Sequence, residues 1–376
     1  MKKIQMVDLK SQYDFIKEEV ADQMAQVLET SSFVNGPMVQ AFQQDLEAYL
    51  NVKHVIPCAN GTDALQIALM GLQLEPGDEV ITSDFTFAAT VEVISLLKLK
   101  PVLVDVDPQT FNIDPKAIEK AITSKTKAII PVHLFGQCAA MDSILEISKK
   151  YQLAVVEDNA QGIGATHTFA DGTKAKTGTM GHVSATSFFP SKNLGAYGDG
   201  GALFTNDDEL AHFIRGIVNH GMYTRYYHDV VGVNSRLDAL QAAVLKVKLQ
   251  YLDFYNERRK EAASRYNAYF NNHEQLVLPF RAMGCDSHVF HQYTLRVLHA
   301  DRDALVQHLN QHQIPCGVYY PVPLHAQKAY LDPNVDPAAF PVTNQLVKEV
   351  ISLPMHSELT TDQIEYIATT LLQFFN

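Results

Sequence analysis

Ala154-Val155-Val156-Glu157-Asp158-Asn159-Ala160-Gln161 opens as an apolar run and ends in two adjacent carboxylates. A short apolar run bounded by polar residues predicts a strand buried on both faces, Ala154–Glu157. Similar runs lie on either side at His54–Pro57, Glu79–Thr82, Pro101–Val106, Ala128–Val132, Ala185–Phe189 and Ala202–Thr205. Helical patterns separate them. One is Ala64, Leu65, Ala68, Leu69 and Leu72, which follows Gly61-Thr62-Asp63. Strands alternating with helices predict an α/β fold with a mostly parallel sheet.

A second region follows. Leu237, Leu240, Val244, Val247, Tyr251 and Tyr255 recur at helical spacing, and the pattern runs on toward Phe270. That predicts one long helix bridging two domains. Beyond it, Tyr293, Leu295 and Val297 alternate as in a strand. Asp301–Gln311 and Thr361–Phe375 read as helices. A chain of 376 residues with 47% hydrophobic content suits one large domain and one smaller one. The expected division is 1–250 and 251–376, with the N-terminal segment free to pack on the smaller domain.

Composition excludes several functions. Charged residues make up 19% and the net charge is -12. Wholesale disorder is excluded, and so is non-specific binding to nucleic acid or an anionic membrane, which needs basic surface. Cys58, Cys138, Cys285 and Cys316 form no C-x-x-C pair, so no zinc ribbon or redox dithiol is expected. Scattered cysteines read as reduced cytoplasmic thiols. No signal-peptide apolar region follows Lys2 and Lys3, and no stretch approaches the ~18 apolar residues of a membrane span.

The chemistry concentrates around Lys192, in Ser187-Phe188-Phe189-Pro190-Ser191-Lys192-Asn193-Leu194-Gly195. A lysine at a strand end among aromatic and glycine neighbours is easily desolvated, which frees its amine as a nucleophile. Most lysines are solvated surface charges, so Lys192 needs partners to stand out. Asn60-Gly61-Thr62-Asp63 offers a helix N-terminus as a phosphate cradle, or an ordinary cap. Asp158 ends a buried strand, where ligands of open α/β sheets bind, or it caps a loop. Phe87 can stack on a planar ring, or pack in a core. Gly232-Val233-Asn234-Ser235-Arg236-Leu237-Asp238 offers an amide and a guanidinium for an anion, or a helix cap in which Asn234 or Ser235 precedes Asp238. Together, cradle, aromatic, acid and lysine are the parts of a pyridoxal phosphate site.

On these motifs the chain resembles the DegT/DnrJ/StrS family of nucleotide-sugar aminotransferases. The resemblance also covers Val7-Asp8-Leu9-Lys10-Ser11-Gln12-Tyr13, Phe33-Val34-Asn35-Gly36-Pro37 and Tyr320-Pro321-Val322-Pro323-Leu324-His325. It implies the fold-type I pyridoxal phosphate architecture, with a mostly parallel seven-stranded sheet and a smaller α+β C-terminal domain. It implies Lys192 as the Schiff-base lysine and Asp158 as partner of the pyridine nitrogen. Gln161 lies near the phenolic oxygen and Phe87 on the ring. Gly61, Thr62, Asp63 and Ser187 bind on the phosphate side, and Asn234 reaches the phosphate from a neighbouring subunit. Arg236, Tyr320 and His325 are implied as substrate-binding. A histidine replaces the lysine in members that dehydrate sugars, so Lys192 favours transamination.

His220-Gly221-Met222, Arg225-Tyr226-Tyr227-His228 and Val231–Arg236 look most like enzymes acting on UDP-linked 3-keto-N-acetylglucosaminuronate sugars. The enzymes of dTDP-3-keto-6-deoxyhexoses share much of this pattern. The expectation is a cytoplasmic homodimer that takes its amino group from glutamate and serves lipopolysaccharide or polysaccharide biosynthesis. A non-catalytic cofactor-binding regulator is one rival. A nicotinamide oxidoreductase is another, but after Gly162-Ile163-Gly164 the third glycine position of G-x-G-x-x-G holds His167. No metal is expected. His308 and His312 share a helix face without a third ligand and read as solvated, and neither Cys285 nor Cys316 has the setting of a desulfurase cysteine.

Overall fold

The computed structural model of the chain describes residues 2–281 and 288–376. Cys285 lies outside them. The first strands are β1 (His54–Cys58), β2 (Glu79–Ser83), β3 (Lys100–Val104), β4 (Thr126–Ile130) and β5 (Ala154–Asp158). A hairpin of β6 (Thr166–Thr168) and β7 (Lys174–Lys176) precedes β8 (Val183–Ser187) and β9 (Gly201–Thr205). The large sheet is seven-stranded, in the order β1-β9-β8-β5-β4-β2-β3. β9 is antiparallel to both β1 and β8, while the β2–β3, β2–β4, β4–β5 and β5–β8 pairs are parallel. The α/β architecture is therefore the expected one.

The expected strand Ala185–Phe189 is displaced. β8 starts at Val183, which pairs with Val156, and ends at Ser187. Phe188 then turns inward and meets Phe42 edge-on at 5.5 Å between ring centroids. Phe189 turns outward and stays 53% exposed. Both rings are apolar, so the sequence pattern counted them as strand; their separate packing ends it.

Helices cover both faces of the sheet, as parallel strands require. Gly61–Gly71, Ala89–Leu96 and Asp208–Ile217 share one core with the strands. Pro37–Leu50 and Ala239–Gln250 bury Phe42, Leu46 and Leu245 in a core with Phe188 and Phe204. A short ribbon of β10 (Met222–Thr224) and β11 (Tyr227–His228) projects from the sheet region. A separate antiparallel sheet joins β12 (Leu276–Val277), β13 (Tyr293–Val297) and β14 (Val350–Leu353). Its core takes Tyr266, Phe270, Leu305 and Ile367 from three helices, and Ile4 from the N-terminal segment.

The long helix is broken. Ala239–Gln250 and Leu252–Phe270 meet at Tyr251, whose φ -103° and ψ 0° leave the helical region. Leu245 and Leu249 face the large-sheet core, whereas Ala263, Tyr266 and Phe270 face the second core. One continuous apolar pattern thus serves two cores, and the break reorients it. The helix also starts later than expected. Asp238 occupies its N-cap, and the Ser235 hydroxyl instead accepts from Ala59 N at 3.1 Å.

Candidate active site

β5 ends on two carboxylates in opposite environments, because successive side chains of a strand point to opposite faces. Glu157 is fully buried. Its Oε2 accepts from His133 Nε2 and from Gly178 N, both at 2.8 Å. Its Oε1 accepts from Met180 N at 2.7 Å and Gly181 N at 2.6 Å. Ala139 N donates to His133 Nδ1 at 3.1 Å, which leaves the ring proton on Nε2 for Glu157. Burial pushes the Glu157 pKa up, but His133 and the backbone donors outweigh it and hold the carboxyl below its usual range.

Asp158 is the opposite case. Burial dominates and raises its pKa, against donors at Thr90 and Ala160 and the charge of Lys192. Thr90 Oγ1 donates to Oδ2 at 2.8 Å, and Ala160 N donates to Oδ1 at 3.1 Å. Two neighbouring acids are thus set to different tasks by their surroundings.

Lys192 follows the end of β8 in a turn closed by Lys192 N donating to Phe189 O at 2.8 Å. Protein surrounds it apart from a face on the cavity. Burial lowers its pKa to about 8, and Asp158 works in the other direction. A neutral fraction of amine is therefore present near neutral pH, as a nucleophile or base requires.

The cavity that joins these groups has a volume of about 720 Å³. Gly61, Thr62, Phe87, Asp158, Gln161, Ser187, Lys192 and Tyr320 all line it. The helix Gly61–Gly71 points its N-terminus at the cavity. Asn60 caps it, with Oδ1 accepting from Asp63 N at 2.8 Å, and the remaining first-turn N–H groups suit an anion. A Cβ on Gly61 would meet Ser187 Cβ at 2.6 Å, so only glycine lets helix and strand end close this cradle. Phe87 is 58% exposed, so the cavity, not a core, is its surroundings. Gln161 is buried; its Oε1 accepts from Phe135 N at 2.6 Å and its Nε2 donates to Tyr320 Oη at 3.2 Å.

Other expected residues fall elsewhere. His325 does not reach the cavity. Its Nδ1 bonds Asp84 Oδ2 at 2.6 Å, its N donates to Asp84 Oδ1 at 2.7 Å, and its ring stacks on Phe340. A substrate contact by His325 is corrected to a clasp between Asp84, after β2, and the segment carrying Tyr320. Asp63 spends its backbone N–H on the cap, one turn inside the helix. Asn234 is exposed and Arg236 half-buried, and neither lines this chain's cavity. The expected solvated pair is also revised: His308 is half-buried with Nε2 at 2.9 Å from Thr370 O. Among the described residues no group of His, Cys, Asp and Glu side chains is arranged to hold a metal ion.

Sequence reasoning missed Thr90, His133 and the cavity-lining His291. Thr90 and His133 had no local signal, since their partners lie 68 and 24 residues away.

The cavity fits a pyridoxal phosphate. The Gly61 cradle would suit a phosphate, Asp158 would suit a protonated ring nitrogen, and Thr86 Oγ1 is buried on the wall without a partner among the described residues. Fold and site together define a pyridoxal phosphate-dependent transferase. The chain belongs to the DegT/DnrJ/EryC1/StrS aminotransferase family, which it matches over residues 14–372. It is 45% identical to the UDP-2-acetamido-2-deoxy-3-oxo-D-glucuronate aminotransferase of Pseudomonas aeruginosa, over 98% of this chain and 99% of that one. It is 44% identical to a pleiotropic regulatory protein of Geobacillus stearothermophilus, over 99% and 98%. Among solved structures, DesV of S. venezuelae in complex with a ketimine intermediate superposes with a TM-score of 0.94, at 36% identity, over 100% of this chain and 99% of that one. The protein is a sugar aminotransferase that works with pyridoxal phosphate. Among the described residues, no helix is long and apolar enough to cross a membrane.

Proposed function

We propose that this protein moves an amino group from glutamate to the ketone of a UDP-linked 3-keto-N-acetylglucosaminuronate. The carrying observation is a Lys192–Asp158 pair on one cavity in a chain 45% identical to a Pseudomonas enzyme of that activity. Bound pyridoxal phosphate supplies an electron-withdrawing ring that stabilises negative charge on the substrate carbon. The chain's residues do the rest. First-turn N–H groups of Gly61 and Thr62, with the Ser187 hydroxyl, hold the phosphate. Asp158 keeps the ring nitrogen protonated, Phe87 covers the ring face and Gln161 lies by the phenolic oxygen. Lys192 anchors the cofactor, then takes and returns the substrate proton. Tyr320 stands at the sugar side.

Asn234 and Arg236 lie outside this chain's own cavity, which supports a homodimer in which they complete the neighbouring site. There Asn234 reaches the phosphate and Arg236 the sugar carboxylate. The reading places the enzyme in the cytoplasm, in lipopolysaccharide or polysaccharide biosynthesis. It divides the chain at the Tyr251 break into a cofactor-binding part, 1–250, and a smaller part, 251–376, on which the N-terminal segment packs.

The test is to load the protein with pyridoxamine phosphate and offer a panel of UDP- and dTDP-linked keto sugars. Return of the pyridoxal absorbance with the UDP-linked 3-keto acid is the expected result. Return only with dTDP-3-keto-6-deoxyhexoses would move the assignment to that class. The Geobacillus relative named as a regulator motivates one further reading, a protein that binds the cofactor without turnover. Cofactor binding with no response to any keto sugar would favour it.

A further inference from the structure

Gly162-Ile163-Gly164 begins a nucleotide fingerprint it does not complete, and the structure gives it another use. Gly164 has a φ of +91°, and a Cβ there would meet Asn256 Nδ2 at 2.4 Å. Glycine is what leaves room for Asn256. Asn256 is buried on the helix Leu252–Phe270, far from the cofactor cradle in sequence. Its amide has two arms. Nδ2 donates to Ile163 O at 3.3 Å, in the turn that follows Asp158 and Gln161. Oδ1 accepts from Asn193 Nδ2 at 2.7 Å, on the residue after Lys192.

Asn193 is itself buried, and it also donates to Val289 O at 3.2 Å and meets His291 Nδ1 at 3.3 Å. Beneath the same turn, buried Lys248 donates from Nζ to Gly195 O at 2.6 Å. The Lys192 turn has few backbone bonds of its own, from Lys192 N to Phe189 O and from Ala196 N to Phe188 O. Its position is therefore set by side chains reaching in from the two helices on either side of Tyr251.

We propose that Asn256 is a positioning residue for the reacting amine: by joining Asn193 to Ile163 it fixes the Lys192 turn relative to the strand end that carries Asp158. The inference rests on Lys192 as the reacting amine. A satisfied buried amide holds its partners in one arrangement, and a displacement of about 1 Å at a reacting group costs about 100-fold in rate. Lys192 also exchanges charge interactions with Asp158 and His291, so moving the turn changes its surroundings and its titration. A merely structural asparagine would alter stability and leave that titration alone.

The experiment uses the full chain without cofactor. Competitive acetylation with acetic anhydride across pH, read by peptide mass spectrometry, gives the Lys192 titration midpoint. Asn256→Leu keeps side-chain volume and removes both arms. Asn193→Ala frees the Lys192 turn but leaves the Asn256–Ile163 bond. Both variants are expected to move the midpoint from about 8 toward the ordinary lysine value of 10.5. With cofactor restored, kcat is expected to fall about 100-fold. A folded variant of either kind that keeps the wild-type midpoint and kcat overturns the proposal. If Asn256→Leu does not fold, Asn193→Ala decides alone. Wild-type turnover by Lys192→Ala would instead overturn the reading of Lys192, a failure the acetylation readout separates from this one.

Discussion

The floor of the cavity and its rim are built differently. At the floor, Asp158 and Gln161 each have partners within this chain, at 2.6–3.2 Å. The proposed rim, which a second copy would complete, differs: Asn234 is exposed, and Tyr226 and Tyr227 on the β10–β11 ribbon are 75% and 68% exposed. The floor is finished in one chain, because electron withdrawal and proton movement need fixed groups in a dry site. In the proposed homodimer, substrate choice would fall to residues that a second copy brings to that rim, and chemistry and specificity would be separated in space.

The floor is the more sensitive region. Lys192→Ala is expected to lower kcat by about 10⁴-fold while cofactor still binds, since a positioned base contributes up to that factor. Single-turnover kinetics with the pyridoxamine form checks this, and a loss under tenfold would break the contrast. Beneath the floor, His133→Leu removes the Nε2–H donor of buried Glu157. It is expected to cost about 1–3 kcal/mol of stability by urea unfolding, the range for leaving a buried polar group without its partner. A cost near zero would mean that the backbone donors at Gly178, Met180 and Gly181 suffice for Glu157.

Rim variants should touch recognition alone. Arg236→Met is expected to raise KM for the UDP-linked acid about 10–100-fold with kcat little changed, as loss of a charged hydrogen bond worth about 1.5–3 kcal/mol. Mixing it with Lys192→Ala protein sharpens the point. In a homodimer with shared sites, each mixed dimer has one site that combines both lesions and one that has neither, so turnover at the wild-type KM should reappear on mixing.

A further expected effect is in pH. Burial depresses the Lys192 pKa from 10.5 to about 8 in the folded cofactor-free chain. Between those pH values the unfolded chain binds the extra proton, so stability should rise as pH increases through that window. Lys192→Met should show a smaller rise, because burial also lowers Lys248, to about 7, and its contribution stays. Thermal melts of both proteins from pH 7 to 10.5 check the sign.

Much of the fold was legible locally. Apolar runs bounded by polar residues placed the strands of the large sheet, and β13 and the C-terminal helices followed from their periods. The misplacements have a common cause. At β8 and at Tyr251 an apolar pattern continues while the chain changes which core it serves. The floor residues Lys192, Asp158 and Gly61 were legible because each sits beside a strand end or helix start. His325 was misread because its side chain belongs to Asp84, 241 residues away.

By itself the sequence determined the strand-helix alternation, the cofactor motifs and the family resemblance, since periodicity, capping and glycine placement act over a few residues. Only the tertiary structure decided that Glu157 and Asp158 take opposite pKa directions, because His133 arrives from a distant segment to help hold Glu157 down, whereas burial raises Asp158 against the Thr90 donor. It also decided that Asn256 joins the Lys192 turn to the Asp158 strand end. Burial and long-range hydrogen bonds set those states, and neither has a local pattern in the chain.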